Sequence, residues 1–496
     1  MFFIMAITLY TSRVVLNALG VEDFGIYNVV GGAVAMLGFF GTSLSTSTQR
    51  FLNYEMGLQN SGSLKKVFSN ALNVHFIIGA VSLIAFETIG LWFVYNKLNV
   101  PAEQLNAAIL VYQFSVLSFF INIITTPYTS AIIASEEMGM YAYLTMAEAV
   151  LKLGAVYILS LAASNRLVLY AVLIFAVNVI IRGLFAIYCI RKFDWCKYFA
   201  CWDFEVVKKL FSFCGWMFFG CTSDILSKQG VNILINLFFG PIFNASYAIA
   251  MQIQAAVNSF SVNFMTAVRP QIVKSYSANC RDYMYALVFS SSKISFYLLF
   301  ILVLPMFLYA DCILHLWLKQ VPESSVIFTQ LVLIELLVSS MYAPIAQVNQ
   351  ASGNIRNYQG VVSVLFVSIF VFAFFAYYAG APAYSAFVIS IAVAVVGLFF
   401  RLAVLKRDND FPSKAYLKKI ILPMPFVAML SAIAPLLHCY YFGNATFGGL
   451  VANCAITAIS TLAFVWFIGV DSNERMFIRK FLKEKISKKW LLNDKN

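Results

Sequence analysis

The chain alternates between apolar stretches of membrane-spanning length and short polar breaks. A run of about 20 apolar residues crosses a bilayer as a helix, and about fourteen such runs follow one another, the condition for a multi-pass membrane protein. They predict spans at 1–19, 25–48, 67–95, 104–132, 141–163, 166–189, 210–238, 244–268, 285–310, 325–350, 359–379, 382–404, 419–441 and 446–468. Pro127, Pro270, Pro305, Pro344, Pro423, Pro425 and Pro435 fall within these spans or at their ends. Neighbouring helices can satisfy the backbone groups that such prolines free. The predicted fold class is therefore all-α, a polytopic membrane protein with almost no domain outside the bilayer. The first span opens on MFFIMAITLY without a basic leader or a small-residue cleavage site. This argues against a cleaved signal peptide and predicts a start upstream.

Composition agrees. Hydrophobic residues make up 61% and charged residues 11%, against about 25% charged in soluble domains. The positions of Lys and Arg set the orientation. With the amino terminus inside, 23 of the 34 Lys and Arg fall in cytoplasmic segments, and only Lys97, Arg166 and Lys319 fall on the other side. Both termini are then cytoplasmic, and the net charge of +12 follows from topology rather than from nucleic-acid binding. The tail IRKFLKEKISKKWLL alternates apolar and basic residues. It reads either as a helix on the anionic inner leaflet or as a solvated basic tail.

Two halves of the chain resemble each other. PYTSAIIASEEMGMYAY from Pro127 faces PIAQVNQASGNIRNYQG from Pro344, with Ser135 opposite Ser352 and Tyr141 opposite Tyr358, an offset of 217. Further matches pair Pro101 with Pro322 and Tyr27 with Tyr247 at nearly the same offset. A repeat of about six spans keeps both copies in the same orientation, so the halves are parallel repeats with a site expected between them near the midplane. This predicts a six-helix lobe over 1–190, a cytoplasmic linker over 191–209 and a second six-helix lobe over 210–405. Helices 13 and 14 follow over 406–468, and a basic cytoplasmic tail covers 469–496.

Charges placed inside the bilayer are costly and are functional candidates. Arg13, Lys152, Arg182, Lys228 and Lys293 are the cations of this set, and Glu148, Asp224 and Glu335 the anions. Glu148 with Lys152 and Asp224 with Lys228 are spaced i, i+4, so each pair shares a helix face and can neutralise itself. Structural pairing in a tight bundle explains such pairs as readily as a binding role. Arg50, Arg269 and Arg401 lie near span ends, where snorkelling accounts for them. A cavity lined by five cations and three anions would be mildly positive and would attract a phosphate or pyrophosphate head group. Ser227, Gln229, Asn232, Asn236 and Asn178 could bond sugar hydroxyls or serve as glue between helices. The nine Cys form no C-x-x-C pair, and His75, His315 and His438 are far apart. Neither set predicts a metal site, and no cofactor is implied. No phosphate-binding G-x-x-x-x-G-K-[ST] loop is present.

YTSRVVLNALGVEDFGIYNVVGG, STQRFLNYEMG and KQGVNILINLFFGPIFNASYAIA resemble the Wzx-type polysaccharide and oligosaccharide flippases of the MOP exporter superfamily, which also holds the MATE drug exporters. The resemblance runs from the first span to about residue 405. It implies fourteen helices in two six-helix lobes plus two more, in a bacterial inner membrane. It also implies a cavity opening alternately to each side, and an undecaprenyl-pyrophosphate-linked oligosaccharide as substrate. A family Arg on the first helix maps onto Arg13, and a cation on the seventh onto Lys228. In this reading Arg13, Arg182, Lys228, Lys293 and Lys152 hold the head group, and Glu148, Asp224 or Glu335 carries a coupling proton or sodium ion. The partners implied are the lipid-linked oligosaccharide, membrane lipids, and the polymerase and glycosyltransferases of surface polysaccharide synthesis. A small-cation antiporter would need acids to dominate the cavity. A membrane polymerase or ligase would need long outer loops, and a scaffold without transport would tolerate loss of the buried cations. The expected activity is transport rather than catalysis.

Overall fold

The structure, a computed structural model, describes residues 38–59, 61–97, 104–160, 165–318, 320–443 and 446–470, scattered positions between 7 and 34, and Arg475. Arg13, Lys319, much of the first two predicted spans and nearly all of the basic tail lie outside the described residues. The helices in order are α1 Gly38–Gly57, α2 Gly62–Asn96, α3 Leu105–Ala134, α4 Met138–Ser160, α5 Arg166–Lys192, α6 Phe204–Phe239, α7 Pro241–Ser277 and α8 Arg281–Leu308. They continue with α9 Ala310–Trp317, α10 Ser325–Ser340, α11 Ala343–Ser352, α12 Arg356–Tyr378, α13 Ser385–Asn409, α14 Ser413–Phe442 and α15 Phe447–Gly469. No strand occurs among the described residues. Among the described residues, ten helices are long and apolar enough to cross a membrane, and α10 with α11 makes an eleventh, bent by 42°. Every predicted span from 67–95 onward meets a helix. The chain is an all-α, multi-pass membrane protein.

The described chain forms two compact units. Unit 1 takes Met1–Thr222 together with Arg269–Arg281 and Gln350–Gln359, and unit 2 takes Ser223–Val268, Asp282–Asn349 and Gly360–Asn496. In unit 1, α3 packs on α1, α2 and α5, and α4 packs on α5. Leu52, Phe68, Ile132, Ile181 and Phe185 fill the core between them. Pro127 sits inside α3 and cannot donate to the preceding turn. The helix carries on, and Thr125 and Thr126 donate their hydroxyls to the carbonyls of Ile121 and Asn122 beside it (2.6 and 2.7 Å).

Two later segments are fastened to unit 1 by side chains. Gln271 and Lys274 both donate to the Glu136 carboxylate. Arg50, stacked on Phe51 and Tyr54, donates to the Ala351 carbonyl at 3.1 Å. Glu136 and Gly353 occupy the same place in the two repeats, 217 residues apart, and both hold a left-handed backbone, with φ of 62° and 82°. The repeat seen in sequence thus carries one turn geometry into both copies. Gly353 needs its missing side chain, because a Cβ there would meet the Arg50 guanidinium.

Burial pushes the Glu136 carboxyl up, but the hydrogen bonds from Lys274 and Gln271 and the Lys274 charge outweigh it and hold the group below its ordinary value of 4.5. A depressed carboxyl stabilises the fold above its unfolded pKa, and that contribution is lost as pH falls through the folded pKa. Hydrogen exchange over 269–281 is therefore expected to quicken as pH drops from 7 into and below the carboxylate range, after correction for intrinsic rates. In Glu136→Gln the same segment is expected to exchange faster at pH 7 and to lose this pH dependence. The effect is small, because the pair is partly exposed and screened.

In unit 2, α10 packs on α13 and α9, and α14 packs on α15. Leu234, Ala250, Phe328, Ala373 and Phe387 form one core, and Leu299, Leu314 and Leu333 another. The counterpart of Pro127 is Pro344, and here the helix does break, between α10 and α11. The Met341 carbonyl left at the break accepts from the hydroxyl of fully buried Tyr416, at 2.6 Å. Tyr416→Phe leaves that carbonyl without its donor, at a cost of about 1–3 kcal/mol. A lowered unfolding temperature in detergent is the expected result.

Candidate functional site

Unit 2 encloses a cavity of about 260 Å³ lined by groups from α6, α7, α10 and α13. Asp224 and Lys228 reach it from one face of α6 and pair at 2.9 Å. Glu335, on α10, accepts a hydrogen bond from Gln254 of α7 at 2.6 Å. Arg401 enters from α13, only 4% exposed, with its guanidinium 3.8 Å from the Tyr342 ring centroid. Asn258, Ser227, Ser339 and Tyr247 complete the polar wall, and Tyr247 donates to the Lys228 carbonyl at 3.0 Å. Two carboxylates and two cations thus share one small cavity inside an apolar helical body. Removing such charges from water costs several kcal/mol each unless they are paired. The Asp224–Lys228 pair and the Gln254 hydrogen bond meet part of that cost.

The structure brings together three of the predicted residues, Asp224, Lys228 and Glu335. Glu148 and Lys152 pair with each other on α4 at 2.6 Å. Arg182, on α5, donates to Asn122 at 2.6 Å and faces Thr129 at 3.5 Å. Its hydrogen-bond partners are neutral, and no carboxylate pairs with it among the described residues. Lys293 is buried on α8 among Ser291, Ser292 and Ser295 and does not line the cavity. Arg13 lies outside the described residues.

Sequence reasoning missed Gln254, Asn258, Tyr247 and Arg401. The first three fall at positions 247, 254 and 258, which recur on one face of α7 at helical spacing. That polar stripe was readable, but amides draw less notice than charges. Arg401 was assigned to snorkelling; the structure buries it against Tyr342 instead. Within the described residues no cluster of His, Cys, Asp and Glu could hold a metal ion.

The sequence matches no protein-family model and no curated protein. Solved structures decide the fold. A MATE transporter in its straight conformation superposes with a TM-score of 0.71 at 14% identity, covering 82% of this chain and 95% of that one. The chain has the fold of the MATE transporters. A MOP superfamily transporter from Pyrococcus furiosus, described as having a binding pocket of reverse polarity that suggests a different function, gives 0.69 at 13% identity, with 84% and 94% covered. An outward-facing multidrug-resistance MATE transporter gives 0.68 at 13% identity, with 82% and 94% covered. The MATE fold, at these identities, says how the helices run and leaves the substrate to the side chains.

Proposed function

We propose that the chain is a membrane transporter that flips a lipid-linked oligosaccharide from the inner to the outer leaflet by alternating access. Its place would be a bacterial inner membrane with both termini in the cytoplasm. The observation that carries the proposal is the charged cavity of unit 2 in a chain with the MATE fold. Ionisable groups from three helices meet there, in a volume near the lower end of ligand pockets, about 300–1,000 Å³. That size suits an ion or one sugar-sized group. Asp224 and Glu335 serve as coupling groups for a proton or a sodium ion. When Asp224 takes up the ion, Lys228 loses its partner, and the change in charge favours one conformation over another. Arg182, whose hydrogen bonds among the described residues go to Asn122 and Thr129, and the Glu148–Lys152 pair provide cationic contacts for an anionic head group in unit 1. Arg13 and Lys293 remain candidates for the same role. The polymerase and glycosyltransferases of surface polysaccharide synthesis are the expected partners.

Small-molecule antiport is the second reading. The two cavity carboxylates and the likeness to multidrug exporters favour it equally. Purified protein in vesicles loaded with lipid-linked oligosaccharide on one leaflet separates the two. Transfer to the opposite leaflet, read by an impermeant glycosidase under an imposed proton or sodium gradient, is the expected result. Gradient-driven movement of organic cations with no transfer of the lipid would replace flipping with antiport.

A further inference from the structure

The charges around the unit 2 cavity differ in their access to solvent. Asp224 and Lys228 keep 32% and 46% of their side chains exposed, whereas Arg401 is almost fully buried against the Tyr342 ring. The cavity thus offers an accessible acid–base pair and a buried guanidinium. Phe366 of α12 and Phe387 of α13 add apolar wall, and Ser227, Ser339 and Ser390 add hydroxyls. Aromatic faces, hydroxyls and fixed charges of both signs are a mixed lining that neither an ion nor an apolar molecule would use in full.

The balance of charge identifies the guest. Two carboxylates, Asp224 and Glu335, share the cavity with two cations, Lys228 and Arg401. A lone cation entering would be opposed by Lys228 and Arg401, and a lone anion by Asp224 and Glu335. Either would leave net charge inside an apolar body, which is costly. A neutral sugar displaces water from these groups and brings no charge to partner them. A guest with one ammonium and one carboxylate keeps the sum at zero and gives each sign a partner. The side chains have the capacity to hold it. Asp224 holds Lys228 through Oδ2, and a carboxylate accepts about four hydrogen bonds, so Asp224 has room for a second ammonium. A guanidinium presents its donors in a planar fork that matches a carboxylate at two points.

We propose that this cavity binds a sugar that carries both an amino and a carboxylate group, with its ammonium at Asp224 and its carboxylate at Arg401. The serine hydroxyls then meet the ring hydroxyls, and Phe366 and Phe387 cover the apolar face of the ring. At about 260 Å³ the cavity takes one such residue. The proposal rests on the flippase reading, because it takes the guest to be one residue of the transported oligosaccharide, and it narrows that reading to a zwitterionic repeat unit. The guest's ammonium and a coupling ion compete for Asp224, so loading of one favours release of the other.

Equilibrium binding of free monosaccharides to the full chain in nanodiscs tests the assignment, with glucosaminuronic acid, glucosamine, glucuronic acid and glucose as probes. Glucosaminuronic acid should bind about tenfold tighter than any of the other three, as one added charge-assisted hydrogen bond provides. Arg401→Gln should abolish its advantage over glucosamine, and Asp224→Asn its advantage over glucuronic acid. Should Arg401→Gln fail to fold, Asp224→Asn, at a partly exposed position, carries the test. Equal or tighter binding of any singly charged or neutral probe, no binding of any probe, or an advantage kept in Asp224→Asn overturns the proposal. Preference for glucosaminuronic acid without transfer of any lipid-linked oligosaccharide leaves the cavity assignment standing and removes the flippase reading. Transfer with no preference among the probes removes the zwitterion site alone.

Discussion

Glu335→Gln is expected to abolish gradient-driven transport while leaving the protein folded. Gln has nearly the shape of Glu and can still meet the Gln254 amide, so the cavity keeps its walls. It cannot take up a proton, and it offers a sodium ion no negative charge. If Glu335 couples the ion gradient to transport, the coupling free energy, of order 1–3 kcal/mol, disappears, a loss of about 5–150-fold in gradient-driven accumulation. Exchange down a substrate gradient should persist, because the helices that move are unchanged. Glu335→Ala adds a fold defect, since the Gln254 donor loses its acceptor at 2.6 Å, worth about 1–3 kcal/mol. Comparing the two separates charge from packing. Asp224→Asn should also uncouple, and it leaves Lys228 without the partner it holds at 2.9 Å. Counterflow and gradient-driven uptake in the same vesicles check the assignment. Full accumulation by Glu335→Gln would remove Glu335 from coupling.

The helical architecture was legible because the bilayer enforces it: each spanning segment must satisfy its own backbone, so the apolar runs read directly as helices. The internal repeat was legible to single positions. Glu136 and Gly353 were aligned by offset alone, and they share a left-handed turn. The effect of the repeated proline was not legible. Pro127 is absorbed in a continuous α3, whereas Pro344 follows a 42° break. The difference lies in a neighbour distant in sequence, Tyr416, whose hydroxyl takes up the Met341 carbonyl. The candidate site was half legible. The i, i+4 rule gave the Asp224–Lys228 and Glu148–Lys152 pairs, because spacing on one helix fixes a shared face. Which charges meet across helices depends on packing that no local pattern encodes. Glu335 therefore joins the Asp224–Lys228 pair while Lys293, buried on α8, does not line that cavity.

Gly57→Leu is expected to destabilise the protein far more than the same change at Gly41 in the same helix. Gly57 ends α1 against the returning segment Arg269–Arg281. A Cβ there would overlap the Ser277 hydroxyl and, more seriously, the backbone of Lys274. A serine hydroxyl can rotate away; a backbone carbonyl held in α7 cannot. The segment must move, and moving it draws Lys274 and Gln271 off Glu136. Overpacking of this kind costs about 1–3 kcal/mol, to which the lost contacts add. Gly41→Leu is the control: it lies in the same helix with nothing within 4 Å of its Cβ position, and Leu has the better helix propensity by roughly 1 kcal/mol. Thermal unfolding in detergent should therefore fall for Gly57→Leu and hold or rise for Gly41→Leu, with exchange at 269–281 quickened only in the first. Adding Ser277→Gly to Gly57→Ala should restore part of the loss and no more, because the overlap with Lys274 remains. Full restoration would place the conflict in the serine side chain and leave the backbone of Lys274 free to yield.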